Sequence, residues 1–562
     1  MRSAPVVQNS RSVVHAPHAM VATSQPLATS AALAVLRDGG SAVDAALCAN
    51  AVLGVVEPTG CGIGGDLMAI VHDPKERAVV GFNGSGRSPL ALTRAVLEER
   101  GVTAIPARGG LAVSVPGCVD GWCALHERFG VLPLARVLEP AIGYAREGFP
   151  LSPVIAHEWA AGLANLKQYQ SFTDQFAQDG KAPLPGRTFV RRGLADVLQR
   201  IAEQGRAAFY EGDVARAIER AVGADGGLLS MRDLADHAGE WVEPLCVTYR
   251  DLKVYELPGN TQGPTALEML ALLEHFDVAS LDFQSADHVH LFTEIKKLAF
   301  ADRARFIGDS SHPTSSGSAG DGSIVLDPGY VAERARLVSM ERAAVEVPSG
   351  APLVAQGDTV TLAVGDAGGQ MVSLIQSNFR GFGSGIAPSG LGFVLQNRGE
   401  LFDLSPGAGA NAYAPGKRPF HTIIPGFAKR GGESYLAFGV MGGDTQPQAH
   451  AQVLSNLVDF GLDLQAAGDV PRWVHLGEAS PTDTPAGGGI EGVGELVLET
   501  GIDAEVARGL EARGHRVRAD AQRRSGHFGG YQAVARSSTT ESSKRVYSGG
   551  SDVRKDGNAA GF

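Results

Sequence analysis

The texture of the chain changes at Asp358-Thr359, and this restricts the fold more than any other feature. Before that point, from about residue 110 to 310, apolar residues recur at helical spacing over 134–146, 193–203, 214–222, 265–273 and 286–305. The exception is 247–257, which reads as a hairpin around Tyr249-Arg250-Asp251. After Asp358, residues 359–364 and 371–377 flank the turn residues Gly365-Asp366-Ala367-Gly368-Gly369 as a second hairpin. Strands are expected again at 391–395, 435–439 and 530–535, with helices at 449–460 and 504–513. Residues 310–323 are Ser/Gly-rich loop, and 347–357 is a second loop with two Pro and two Gly. A helical block running into strands and helices in one continuous unit predicts a layered α+β or α/β body rather than beads on a linker.

Nearer the start, Ser24-Gln25-Pro26-Leu27 opens a helix that stops at Gly39-Gly40, and Ser41-Ala42-Val43-Asp44 forms a capping box for a second helix through Val55. Gly60-Cys61-Gly62-Ile63-Gly64-Gly65 then spells GxGxxG. A nucleotide loop needs strand, glycines, helix; here a helix precedes and the strand-like run 67–71 follows. The net charge of -12 and the lack of Lys/Arg runs exclude a dedicated nucleic-acid binder. The longest apolar run, 45–56, is interrupted by Asn50 and is too short to span a bilayer, so no membrane partner is expected. The first twenty residues place His15, Pro17 and His18 where a secretory peptide needs apolar sequence, so a cytoplasmic location is expected. Five cysteines (Cys48, Cys61, Cys118, Cys123, Cys246) without CxxC spacing predict buried small hydrophobes, not disulfides or a zinc site.

The sequence contains no GxSxG, HExxH or Walker A motif. His288-Val289-His290 lies in a helical pattern, where i,i+2 side chains diverge, so no metal and no cofactor are expected. What remains is Thr359, at the head of a hairpin after a Pro/Gly stretch. A Thr hydroxyl is a weak nucleophile without an adjacent base, and a free α-amine, with a pKa near 8, is matched to neutral pH. That amine exists only if the chain is cut before Thr359; by propensity alone Thr359 is an ordinary strand residue.

The motifs decide between these readings. Gly39-Gly40-Ser41-Ala42-Val43-Asp44-Ala45-Ala46, the loop Gly60 to Asp66, Ala208-Phe209-Tyr210-Glu211-Gly212, Glu243 to Arg250 and Lys297 to Arg303 stand in order before Asp358-Thr359. Phe382-Gly383-Ser384-Gly385, Gly416-Lys417-Arg418-Pro419, Met441-Gly442-Gly443, Pro471-Arg472 and Gly549-Gly550-Ser551-Asp552 follow it. In these motifs, from about Ala22 to the C-terminus, the chain resembles the γ-glutamyltransferase family of N-terminal-nucleophile hydrolases. The resemblance implies an αββα sandwich formed jointly by two autocleaved fragments, 1–358 and 359–562, with cleavage between Asp358 and Thr359. It implies that the fragments stay together as a heterodimer, open to further dimerisation. Thr359 is then the nucleophile, Gly442 and Gly443 supply the oxyanion N–H groups, and Thr361 and Ser377 orient the amine.

The sequence departs from glutathione-handling members where they hold the donor. Their carboxylate-binding Arg falls near Ser85, with Arg87 displaced by two; their serine pair becomes His421-Thr422. The residues that hold the donor's ammonium become Arg398, in Gln396-Asn397-Arg398-Gly399, and Leu401. A guanidinium and an aliphatic side chain in place of ammonium acceptors disfavour a γ-glutamyl group. Arg398, Asn397, His421, Thr422 and Arg87 are therefore the expected binding residues for a small amide bearing a carboxylate but no amino group. Oxamate amidohydrolase-like activity is expected, with cephalosporin or glutaryl acylase-like and γ-glutamyltransferase or glutathione hydrolase activities as alternatives. An uncleaved, non-catalytic binding protein is the alternative of another class.

Overall fold

The computed structural model describes residues 10–313, 320–345, 358–405, 408–477, 493–537 and 545–562. Two antiparallel seven-stranded sheets form its centre. The first runs Asn558–Gly561, Met20–Thr23, Asp358–Gly365, Met371–Phe379, Asp66–Asp73, Ala78–Asn83, Glu240–Val242. The second runs Val14–Ala16, Tyr547–Ser551, Gly530–Arg536, Glu433–Met441, Gly426–Arg430, Leu252–Glu256, Leu245–Tyr249. Each sheet thus pairs strands from both sides of the Asp358–Thr359 bond.

Period-two alternation assigns the faces. Val360, Leu362, Val364, Val372 and Leu374 pack under the helices Pro26–Arg37 and Ala42–Val56. Ala363, Met371 and Ile375, on the opposite face, meet Phe427, Ala437 and Val534 of the second sheet. The second sheet's outer face, with Leu436, Phe438 and Ala533, packs on the helices Gly263–Leu273, Ala286–Phe306 and Thr445–Val458. Four layers result, helix–sheet–sheet–helix, an α+β architecture in which both sheets are covered on both faces. The capping box at Ser41 and Asp44 forms as the sequence predicts.

Residues 391–395 are not a strand. Gly390 and Gly392 adopt left-handed φ of 73° and 71°. The segment's N–H groups go to loop carbonyls, Leu395 to Ile386 at 2.9 Å, rather than to a ladder. Of the cysteines, all free, Cys48, Cys61 and Cys118 are buried, while Cys123 and Cys246 are only half-buried. The second expected loop, 347–357, and residues 314–319 of the first lie outside the described residues. No helix among the described residues is long and apolar enough to cross a membrane.

Candidate active site

Thr359 lies at the end of its strand, 2% exposed, on the face turned to the second sheet. Its Oγ1 donates to Ser377 Oγ on the neighbouring strand at 3.2 Å. Ser377 Oγ also accepts the Phe379 N–H at 2.8 Å, which fixes its position. Thr361, two residues on and on the same face, is fully buried, and its hydroxyl makes no hydrogen bond among the described residues. The GxGxxG segment is the connection from the second helix to the strand Asp66–Asp73, and it packs against Thr359. A Cβ on Gly60 would stand 3.2 Å from Thr359 N. Gln376 clamps the loop through both backbone groups of Gly62, at 2.9 and 2.7 Å.

Gly442 and Gly443 follow the strand Glu433–Met441 with φ of 124° and 58°, a backbone open to glycine. Neither N–H donates to a described residue. Gln262 Nε2 holds the Gly443 carbonyl at 2.8 Å and the Thr422 carbonyl at 2.6 Å. Arg303 in turn donates to Gln262 Oε1 at 2.8 Å and to Asp444 at 2.6 Å. The turn is therefore braced from behind by a buried ion pair, with its donors left unengaged. Thr359, Met441 and Gly442 line one cavity of about 210 Å³.

Arg398 is completely buried, its guanidinium 4.1 Å above the Phe379 ring. Nη1 donates to Thr422 Oγ1 at 2.8 Å, whereas Nε and Nη2 meet no acceptor among the described residues. Burial draws its pKa down to about 9 against the opposing pull of Asp66, Glu400 and Asp444, so it stays cationic at neutral pH. His421 is also fully buried, with Nε2 2.8 Å from Asp66 Oδ2. Burial and the charge of Arg398 push its pKa to about 4. A neutral imidazole donating Nε2–H to Asp66 leaves Nδ1, which has no partner among the described residues, as an acceptor.

Two of the expected binding residues are committed elsewhere. Asn397 spends its amide on Ala107, Glu400 and the Arg380 N–H. Arg87 pairs with Asp309 at 3.2 Å and reaches the Gly416 carbonyl, in contacts that do not include Arg398 or Thr359. Arg398, Thr422 and His421 stand together, joined to the glycine turn through Gln262 and to Ser377 through Phe379.

The family model for gamma-glutamyltranspeptidase matches residues 28–562. The chain belongs to the γ-glutamyltranspeptidase family. Among curated relatives, the glutathione hydrolase-like YwrD proenzyme of Bacillus subtilis (strain 168) is 38% identical over 81% of this chain and 84% of its own length. The oxamate amidohydrolase proenzyme of Klebsiella pneumoniae is 33% identical over 97% of this chain and 98% of its own. Among solved structures, the cephalosporin acylase from Bacillus halodurans superposes with a TM-score of 0.88 at 38% identity, covering 100% of this chain and 99% of that one.

Three features of this γ-glutamyltranspeptidase-family site escaped the sequence reading. Asp66, the last residue of the glycine loop, orients His421 and also accepts the Gly86 and Gly117 N–H groups. Asn378, beside Ser377, is fully buried with both amide atoms unpartnered among the described residues. Arg523 and Arg524 come from a distant loop to the wall of the Thr359 cavity. Adjacency to a motif residue was the available signal for the first two; the third carried none. As for metals, His288 does turn away from His290, into Phe283, Phe292, Phe460 and Trp473. Ligand atoms of His290, Glu294 and His515 do lie within 4.8 Å of one another. The two rings already share a hydrogen bond at 2.7 Å, and Lys297 Nζ sits 2.7 Å from Glu294, where a cation would bind.

Proposed function

We propose that this chain is a self-processing amide hydrolase whose substrate carries a carboxylate, and no ammonium, on its acyl half. Oxamate-like amides are its preferred class. The observation that carries the reading is Arg398: a fully buried guanidinium with two N–H sites unsatisfied among the described residues, linked through Phe379 toward Thr359 and through Thr422 and Gln262 to the glycine turn. Such a group is costly to bury unless an anion completes it. A γ-glutamyl donor would bring its ammonium against this guanidinium and against Leu401, which packs in an apolar cluster with Phe379 and Phe420.

Processing cuts the Asp358–Thr359 bond by attack of the Thr359 hydroxyl on the Asp358 carbonyl, followed by hydrolysis of the resulting ester. Fragments 1–358 and 359–562 remain together as a heterodimer, and the new α-amine has the unpartnered Thr361 hydroxyl and Ser377 as its neighbours. In turnover Thr359 Oγ attacks the substrate carbonyl carbon while the α-amine takes the hydroxyl proton. The Gly442 and Gly443 N–H groups receive the oxyanion, each worth about 10²–10³ in rate. The C–N bond breaks, the amine's proton passes to the leaving nitrogen, and water hydrolyses the acyl ester to restore Thr359. No cofactor enters these steps. A cytoplasmic location belongs to the same proposal and is supported by five free cysteines.

The test compares ammonia release from oxamate with chromophore release from a γ-glutamyl anilide. Faster turnover of oxamate is expected; efficient γ-glutamyl transfer to a dipeptide would overturn the substrate assignment. A denaturing gel checks processing: two bands near 37 and 21 kDa, by residue share of the 58.5 kDa chain, are expected. One undivided, inactive band would instead mark a binding protein.

A further inference from the structure

The cavity beside Thr359 has a positive region that the mechanism above does not use. Its volume of about 210 Å³ is several times the roughly 30 Å³ that one water, or an ammonia of like size, occupies. Arg398 is absent from its wall; the lining comes from the start of the helix Pro153–Leu166, the 523–529 loop and Arg554-Lys555. The wall reaches solvent at Pro153, His157, Arg523 and Arg524. Arg398 is sealed inside, so the acyl half points inward. The amine, which must leave before water attacks the acyl ester, occupies the open side.

The charges on that side do not balance locally. Arg554 is committed to Glu499 and Asp552, at 3.0 Å to each, and Lys555 lies 2.8 Å from Glu158. Asp556 is turned to the Val154 N–H at 3.2 Å. Arg523 lies 3.2 Å from a Glu499 oxygen that Arg554 already uses, and 42% of its side chain is exposed. Arg524 donates only to the Val553 carbonyl, at 3.3 Å, among the described residues. Arg523 thus shares a carboxylate that Arg554 has already claimed, and the adjacent Arg524 has no carboxylate partner among the described residues.

We infer that the leaving amine carries an anionic group, a carboxylate separated from its nitrogen by one or two carbons, which Arg523 and Arg524 hold. The inference rests on the acyl-side reading of Arg398 and extends it: the full substrate is an amide with a carboxylate on each side of the scissile bond, and simple amides such as oxamate leave the outer part of the cavity empty. When N-carboxymethyl oxamate reacts, the oxalyl carbon bonds to Thr359 Oγ, the C–N bond breaks, and glycine departs with the transferred proton. Water then frees oxalate.

The experiment measures kcat/KM for three amides, oxamate, N-ethyl oxamate and N-carboxymethyl oxamate, with a glutaryl series alongside to cover a longer acyl half. The parent should prefer the N-carboxymethyl over the N-ethyl amide by about tenfold, mainly through KM and less at 0.5 M salt, where exposed charges are screened. The double variant Arg523→Gln/Arg524→Gln should lose that preference while hydrolysing oxamate within about twofold of the parent. Absence of a preference in the parent, or an equal loss on all three amides in the variant, would overturn the inference and leave the Arg398 reading standing. Turnover of neither series would overturn the Arg398 reading itself, and this inference with it.

Discussion

Arg398 keeps one N–H on Thr422 and leaves Nε and Nη2 facing no described acceptor, an arrangement that the proposed substrate carboxylate would complete. Recognition and chemistry should therefore separate by substitution. Thr359→Ala is expected to abolish both processing and turnover, as seen by gel and by product assay. Arg398→Gln should be processed normally, because the precursor's own bond needs no carboxylate clamp, yet lose about 2–5 kcal/mol in kcat/KM. The same change should leave Tm unchanged or raised, since it removes an under-satisfied buried charge; a large fall in Tm would make the residue structural. Thr359, Arg398 and the His421-Thr422 pair could be singled out as candidates because the motifs around them fix their positions in the chain. The partners that give these residues their state were not. Asp66 lies 355 positions from His421, and no local pattern reports that the imidazole is neutral or that two guanidinium nitrogens go unpaired.

The glycine connection between the second helix and its following strand makes two different demands on its residues, and substitution should tell them apart. A methyl at Gly60 meets Thr359 N at 3.2 Å and its carbonyl oxygen at 3.4 Å, contacts that a small shift of the nucleophile relieves. A methyl at Gly64 falls 2.0 Å from the Val394 carbonyl oxygen, inside the fold. Gly60→Ala is expected to lower kcat with little change in Tm, and Gly64→Ala to destabilise by about 3 kcal/mol or more in denaturant titration. The major elements were readable from the sequence: the hairpin Asp358–Gly365/Met371–Phe379, the capped helix Ala42–Val56 and the long helix Ala286–Phe306 all stand where periodicity places them. The segment 391–395 was misread because an apolar run looks the same whether a ladder or a set of loop carbonyls takes its N–H groups. Short strands such as Val14–Ala16 and Asn558–Gly561 carry too few residues for a period and are strands only because a partner lies beside them.

Acid should unsettle the whole molecule before its carboxylates titrate. Burial holds His288 and His515 at about 3 and, with the charge of Arg398, His421 at about 4, all below the value near 6.5 expected in the unfolded chain. The unfolded chain therefore takes up these protons first as pH falls. The stability contributed by these neutral rings is intact above about pH 6.5 and is lost progressively as pH falls through their folded values. His421 alone accounts for about 3 kcal/mol of this, so Tm scans between pH 7.5 and 4.5 should fall steeply in the parent and less steeply in His421→Gln. The two sheets, in which Met20–Thr23 lies beside Asp358–Gly365 and Leu252–Glu256 beside Gly426–Arg430, bear on the order of events. Neither half holds either seven-stranded sheet by itself, so on the proposed processing the uncut chain must finish folding, in a first-order search, before the site around Thr359 is assembled. The proposed cut would make the reverse journey a different problem, in which two separate chains must meet and interleave strand by strand. Refolding yield should be indifferent to dilution for Thr359→Ala and should collapse on dilution for the processed enzyme. The proposed processing would give the protein a history: it could be assembled once, and after that be kept together by never coming apart.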